Sequence, residues 1–364
     1  MSEHSKAEPF YLIHHAPEHG KVAVMCQSGV EEGARAGLVK PPRKATKKTP
    51  IPTADPIKSM VHQQQLIIEQ AGCQIAEVGP HADEVIDGEG RYAQEYESSM
   101  KRYSHGIIGV ISIGNSRFLF FITGKQQVAT LPGGELVYKI TAADYIPFVQ
   151  SSNSPKKGLS SETLRYINAV KGIFDREGFY FSYNADLTQS QQKQAQIQAG
   201  SKVDFRKTLD TTYQWNHKIL QDFTLQSVDD FWTIPIICGY VEQARQTPDH
   251  ANVDVVVISR RRHAFHGPRF QPCGIDEFSN VSNFVESEVI LTGADTVFSC
   301  VQVRGGLPIF WDASIHTKKP ETRKQDHLTQ AIFDDHLKDL TDNYKRVVML
   351  DLLKKKSSEG ELVK

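Results

Sequence analysis

Apolar and polar residues along this chain fall partly in short alternating runs and partly at helical spacing, which predicts a mixture of strands and helices. PFYLIHH and KVAVMC, separated by the turn-forming PEHG, form an N-terminal hairpin pattern. In IKSMVHQQQLIIEQA, the residues Ile57, Met60, Val61, Leu66 and Ile67 sit mostly at helical spacing before Gly72, so a helix is expected there. GIIGVISI and RFLFFITG, joined at GNSR, give a second hairpin signal, and ELVYKI and DYIPFV continue the strand character. The clearest helix is SSETLRYINAVKGIFDREG. A Ser and Glu capping signature opens it, Leu164, Ile167, Val170 and Phe174 share one side, and Gly178 closes it.

FYFSYNADLT alternates aromatic and polar residues as a strand does. The glutamine-rich QSQQKQAQIQAG behind it is a loop or a frayed helix, which places a domain seam near residue 185. Beyond the seam, YQWNHKILQDF is a short helical pattern and DFWTIPIICGYV a buried strand. VDVVVISR, NFVESEVILT, TVFSCVQVR and LPIFW are four more strand-like runs, HLTQAIFDDHLKDLTDNY is an amphipathic helix, and RVVMLDLL a following strand. The expected fold is an α+β N-terminal subdomain over residues 1–185, then an incomplete α/β subdomain over residues 186–364.

Composition narrows the function. With 42 basic and 43 acidic residues the formal charge is −1, so no global field recruits nucleic acid or a membrane, and any attraction to an anion is local. Residues 31–56 are rich in Pro, Lys and Thr and poor in large apolar groups, which predicts a flexible basic insertion with solvated lysines. Five cysteines without a CxxC pair favour a reducing compartment, and MSEHSKAEPF lacks the apolar core of a signal peptide. The most apolar stretches fall far short of the ~20 residues a membrane span needs.

Six segments in order, GIIGVISI with RFLFFITG, FYFSYNADLTQSQQ, YQWNHKIL, VVVISRRRHAFHGPRF, GIDEFSNVSNFVESEVIL and VQVRGGLPIFW, resemble the Sac phosphoinositide phosphatase domain, which also occurs in synaptojanins. The resemblance covers about residues 100 to 312. It implies an N-terminal subdomain before a catalytic one, and hydrolysis of phosphate monoesters on inositol lipids through a cysteinyl-phosphate intermediate. A thiolate serves there because an arginine and a cradle of backbone N–H groups stabilise it and the transferred phosphoryl alike.

That chemistry has a signature, a Cys followed six residues on by Arg. Cys26 meets Glu32 at that position, Cys73 meets Gly79, Cys238 meets Ala244, Cys273 meets Ser279 and Cys300 meets Gly306. No catalytic residue is therefore assigned, and the resemblance places the Cys loop beyond RVVMLDLL. The 364 residues alone are expected to be inactive and poorly soluble. The alternative is a noncatalytic module that binds phosphoinositide membranes or a protein partner.

The resemblance puts Arg260 and Arg261 at the end of a strand and Arg269 in a G-x-R step. A planar guanidinium suits phosphate through two parallel hydrogen bonds, while Glu286 and Glu288 offer Arg260 and Arg261 a purely structural pairing instead. Arg269 is the foremost candidate for headgroup contact, and Arg262 is expected at the surface. Arg304, beside Gly305 and Gly306, either meets a ligand or makes an inter-strand ion pair; Asn283 either bonds a loop or borders the site. Trp215, Asn216, Pro308 and Trp311 look like fold residues. His263 and His266 lack a third ligand for a metal, Cys273 is a packing thiol, and no cofactor is implied. The implied partners are phosphoinositide lipids at membrane surfaces, with an unidentified regulatory protein possible and no nucleic acid. The implied location is cytoplasmic, peripheral to intracellular membranes.

Overall fold

In the computed structural model of the chain, the described residues are 11–16, 21–26, 65–69, 74–78, 100–114, 116–148, 159–176, 178–198, 204–228, 230–246, 253–265, 273–294, 296–313, 320–322 and 326–353. The proposed insertion at residues 31–56, Arg269 and His266 lie outside them. The N-terminal hairpin forms as expected, from β1 (Tyr11–Ala16) and β2 (Lys21–Cys26). The helix expected over residues 57–71 is corrected at residues 65–69, and its remaining residues lie outside the described ones. Gln65–Glu69 is β3, paired antiparallel with β2 on one side and with β4 (Gln74–Val78) on the other. The consecutive Leu66, Ile67 and Ile68 suit a strand flanked by two neighbours, and a short apolar run cannot separate strand from helix by period alone. With β5 (Met100–Ser104) beside β1, these strands form a five-stranded sheet in the order β4-β3-β2-β1-β5.

The GNSR hairpin forms between β6 (Ile107–Ile113) and β7 (Ser116–Thr130). ELVYKI and DYIPFV are a single strand, β8 (Leu136–Phe148). The clearest predicted helix is α1 (Ser161–Arg176), capped by the Ser160 hydroxyl, which accepts the N–H of Thr163 at 3.0 Å. Its Phe174 ring packs on Phe120 and on Phe179 of β9 (Phe179–Phe181) at centroid distances of 5.6 and 5.1 Å. The glutamine-rich stretch is a regular helix, α2 (Gln191–Gln198), and YQWNHKILQDF gives a 3-10 turn and α3 (Gln221–Leu225).

The remaining strands are β10 (Ile237–Gln246), β11 (Val253–Arg261), β12 (Val285–Thr292), β13 (Val297–Arg304), β14 (Trp311–Ala313) and β15 (Pro320–Thr322), with the helix α4 (Asp326–Tyr344) after them. β10 to β13 are antiparallel, each paired to the next in sequence, with no helix between them among the described residues. Helices and strands are mixed as expected, but the alternating α/β arrangement expected of the second half is not what residues 237–304 adopt. RVVMLDLL is not a strand either: Val348, Leu350 and Leu352 are exposed.

Contacts divide the chain into two units. The first holds residues 1–128, 134–185 and 216–236; the second holds residues 129–133, 186–215 and 237–364. In the first, a core of Ile13, Ile107, Val110, Leu119, Phe121 and Trp232 is fully or nearly fully buried. Each such side chain contributes about 1.5–3 kcal/mol of transfer free energy. Asn216 binds this unit together, donating to the carbonyls of Ile108 and Ile234 at 2.9 and 2.7 Å and accepting the N–H of Ile236 at 3.0 Å. In the second unit, Tyr213, Ile275, Val281, Phe284, Phe310 and Leu340 form a separate core.

Candidate functional site

The arginine-rich end of β11 decides where the predicted residues point. Side chains alternate between the faces of a strand, and in VDVVVISRR the residues Val256, Ile258 and Arg260 are buried while their neighbours are half-exposed. Arg260 stands opposite Gly239 of β10 and Glu286 of β12. A Cβ at Gly239 would meet the Ser259 carbonyl oxygen at 1.7 Å, so only glycine lets β10 approach that strand end.

On the buried face Arg260 is 0% exposed and is held by two carboxylates. One Nη pairs with Glu286 and the other with Glu288 at 2.7 Å. Glu286 also accepts the hydroxyl of Tyr344 from the end of α4. Glu288 accepts the hydroxyl of Ser299 at 2.6 Å and, at 2.7 Å, the N–H of Gln191 in the first turn of α2, where the helix favours an anion. Burial works against the Arg260 charge, but Glu286 and Glu288 together hold its pKa above the ordinary guanidinium value. Burial, and then the Glu286 charge, raise the pKa of Tyr213; burial, Tyr213 and Glu286 raise that of Tyr344, so both phenols stay protonated. Their hydroxyls lie 3.3 Å apart.

Asp186 of the DLT step belongs to the same buried network. Its Oδ1 accepts the N–H and the hydroxyl of Thr188 at 2.7 and 2.6 Å, while its Oδ2 is buried without a partner among the described residues. Desolvation pushes its pKa up to about 6, against the opposing effects of Thr188 and Arg260. Asp186, Thr188, Tyr213 and Tyr344 were not singled out from the sequence as part of a site. The DLT and YQW steps were visible there as pattern, but that they surround Arg260 depends on the fold.

The opposite face of the same sheet carries Arg261 and Arg304. The register places them in one row, Arg261 opposite Val285 and Val285 opposite Arg304. Two strand spacings separate them, roughly 10 Å between backbones. Arg261 is half-exposed, Arg304 is exposed, and neither has an ion pair among the described residues. Asn283, exposed and in the left-handed region at φ 54°, lies two residues before Val285. The next row on this face is Tyr240, Ser259, Ser287 and Gln302, in which the two serine hydroxyls bond at 2.7 Å. Gly305 and Gly306 bring the chain after Arg304 against Val281 and Ser282, with the Gly306 N–H donating to the Ser282 carbonyl at 2.8 Å. The close approach expected of these glycines is therefore to the loop that leads into β12.

The expectation of a surface Arg262 is corrected. Its side chain is only 11% exposed, pairs with Asp339 of α4 at 2.8 Å, and lies 4.8 Å from the centroid of the Phe284 ring. A cavity of about 380 Å³ next to it is lined by Thr212, His263, Phe278, Asn280, Asp335 and Asp339 among others. Arg262 is engaged with Asp339, so this cavity offers little to an anion. The His263 backbone N–H donates to the Thr212 carbonyl at 3.1 Å, and the described residues contain no cluster of three metal-ligating side chains. Trp215 donates from its indole to the Arg261 carbonyl at 3.1 Å, a fold role. Cys238 is buried, Cys273 half-buried and Cys300 exposed, and none of the three is in a disulfide. No helix among the described residues is long and apolar enough to cross a membrane.

Comparison with known proteins agrees with the segments around this sheet. A family model for the SacI homology domain matches residues 105–364. The chain is 29% identical over 288 residues to the polyphosphatidylinositol phosphatase INP53 of Saccharomyces cerevisiae, covering 71% of this chain and 26% of that protein. It is 27% identical over 263 residues to the phosphoinositide phosphatase SAC8 of Arabidopsis thaliana, covering 71% and 44%. Against human synaptojanin-2 it is 28% identical over 304 residues, covering 79% and 18%. The chain thus spans less than half the length of each of these relatives. With the match extending over more than two thirds of its residues, the chain belongs to the SacI homology domain family.

Proposed function

We propose that this chain serves the hydrolysis of phosphate monoesters on phosphatidylinositol phosphates by supplying one wall of the headgroup site. The observation that carries the reading is the row Arg261–Val285–Arg304, a half-exposed and an exposed arginine flanking the buried Val285 on one sheet face, without an ion pair among the described residues. Such groups bind phosphate through charge-assisted, bidentate hydrogen bonds. Asn283, two residues before Val285, borders this row, and Arg269, outside the described residues, is proposed as a further headgroup contact from its G-x-R sequence step. Arg260 acts differently: buried, with both Nη groups paired to Glu286 and Glu288, it holds the sheet end in shape and does not meet substrate.

None of the five cysteines has arginine at the sixth position, so the nucleophilic step does not run from a Cys-x5-Arg loop within these 364 residues. The protein acts at the cytoplasmic surface of intracellular membranes, where such lipids are presented to it. A noncatalytic phosphoinositide-binding or partner-binding role is the second reading, favoured by the same open arginines without a nucleophile. Two measurements test the proposal. The chain is expected to release no phosphate from phosphatidylinositol phosphates, yet to bind soluble inositol trisphosphate by calorimetry in a salt-sensitive manner. Phosphate release by this chain would overturn the assignment of the nucleophile to other residues. Binding undiminished in an Arg261→Gln, Arg304→Gln double variant would overturn the wall.

A further inference from the structure

The face that carries Arg261 and Arg304 changes character along its length. Row by row from the arginines it runs through Tyr240, Ser259, Ser287 and Gln302, then Glu242, Val257, Val289 and Cys300, then Ala244, Val255, Leu291 and Phe298. Cationic groups come first, hydroxyls, an amide and a tyrosine second, and mostly apolar groups last. The apolar end is open: Phe298 is 65% exposed and Leu291 38%, with Val297 at the neighbouring strand end 50% exposed. Tyr240, half-exposed at 50%, stands at the boundary between the polar and apolar rows.

We infer that this face docks on an anionic bilayer, with the β12–β13 end entering the lipid. The inference rests on the reading of Arg261 and Arg304 as headgroup contacts. Three features select the occupant. The order cationic, amphipathic, apolar is the order of a lipid surface from headgroup to acyl chain, and tyrosine at the boundary is where interfacial aromatics sit. The separation also fits: Arg261 lies four residues from Val257, about 14 Å along the strand, so the arginines stay above the hydrocarbon when the apolar rows enter it. Insertion at the hairpin end is compatible with backbone satisfaction, because β12 and β13 are paired through Thr292 and Val297, and the Gly293 N–H donates to the Thr296 carbonyl at 2.9 Å. A packed protein layer would be met by apolar groups along the whole face. Here they are confined to one end. Glu242, at the β10 side of the third row, and the exposed Arg245–Asp254 ion pair at 2.9 Å, in register with Thr292 and Val297, confine entry to the β13 side.

The test is co-sedimentation of the full chain with phosphatidylcholine vesicles, with and without phosphatidylserine. The chain is expected to bind the phosphatidylserine vesicles preferentially. A Leu291→Ser, Phe298→Ser double variant is expected to lose about tenfold in vesicle affinity while keeping inositol trisphosphate binding and its melting temperature. Because both side chains are exposed, a folded variant is expected; if it melts early, Phe298→Ser alone serves. Vesicle binding unchanged in the serine variants overturns the inference and leaves the headgroup wall standing. Elution of the wild-type chain as a dimer that Phe298→Ser converts to monomer overturns it in favour of a protein interface. Loss of inositol trisphosphate binding only in the arginine double variant separates failure of the lipid face from failure of the headgroup reading.

Discussion

Arg260 and Arg261 are adjacent in sequence and chemically identical, yet they belong to opposite regions of the sheet. Arg260 faces inward, where two carboxylates, two phenols and the first turn of α2 surround it. Arg261 faces outward in a row with Arg304. The same guanidinium is ion-paired and buried on one side and half-exposed without an ion pair among the described residues on the other. The teaching is that a run of arginines states how much positive charge a strand end carries and nothing about how much of it can reach an anion. Of the three in SRRR, Arg260 and Arg262 are committed to acidic partners and Arg261 has none among the described residues.

The sharpest way to break this comparison is Arg260→Ala. Glu286 and Glu288 would remain buried without their counter-charge, at a cost of about 3–5 kcal/mol. Urea denaturation reads it, and a loss below about 1 kcal/mol would show that the inner face tolerates the change. Arg261→Ala in the same assay is expected to stay within about 0.5 kcal/mol of wild type.

The next largest effect concerns Asp186. Its folded pKa of about 6 lies above the ordinary aspartate value of 3.8, so the folded state holds a proton more tightly than the unfolded one. The associated stability is present below about pH 4 and lost as pH rises through about 6. From the shift, the change is on the order of 2–3 kcal/mol. Asp186→Asn, which keeps an oxygen for Thr188, is expected to flatten that slope in urea titrations at successive pH values. A slope unchanged in the variant would assign it to another group.

Tyr344→Phe sharpens the comparison at smaller scale. It removes a hydroxyl bonded to Glu286 and is expected to cost about 1–2 kcal/mol, without altering inositol trisphosphate binding. The smallest effect on stability and the largest on binding belongs to the outer face. Arg261→Gln or Arg304→Gln singly is expected to weaken inositol trisphosphate about five- to tenfold at low salt, with the difference shrinking as salt rises. Calorimetry at two ionic strengths decides it.

Much of the element pattern was legible in the sequence. The β1–β2 and β6–β7 hairpins, α1, the β11 to β13 strands and α4 follow their apolar periods and turn residues closely. β3 was read as a helix because Ile57, Met60 and Val61 mimic helical spacing, whereas pairing on both sides made Gln65–Glu69 a strand. RVVMLDLL has the composition of a strand but no strand partner among the described residues. The candidate site was legible as a set of residues, and the pairing of Arg260 with Glu286 and Glu288 was foreseen as one of two outcomes. Arg261 was given the same pairing and does not adopt it.

The sequence by itself determined the mixture of strands and helices, the ordered motifs of the family and the alternation that puts Arg260 and Arg261 on opposite sides of β11. It could not say which side is buried, because Val255 and Val257 on one side are as apolar as Val256 and Ile258 on the other. Only the tertiary structure decided that, through the elements that cover one face. α2 supplies an N–H to Glu288 and α4 a tyrosine to Glu286. A charge survives burial only where such partners converge, and convergence of residues 191, 260, 286, 288 and 344 is a property of the fold and not of any one segment.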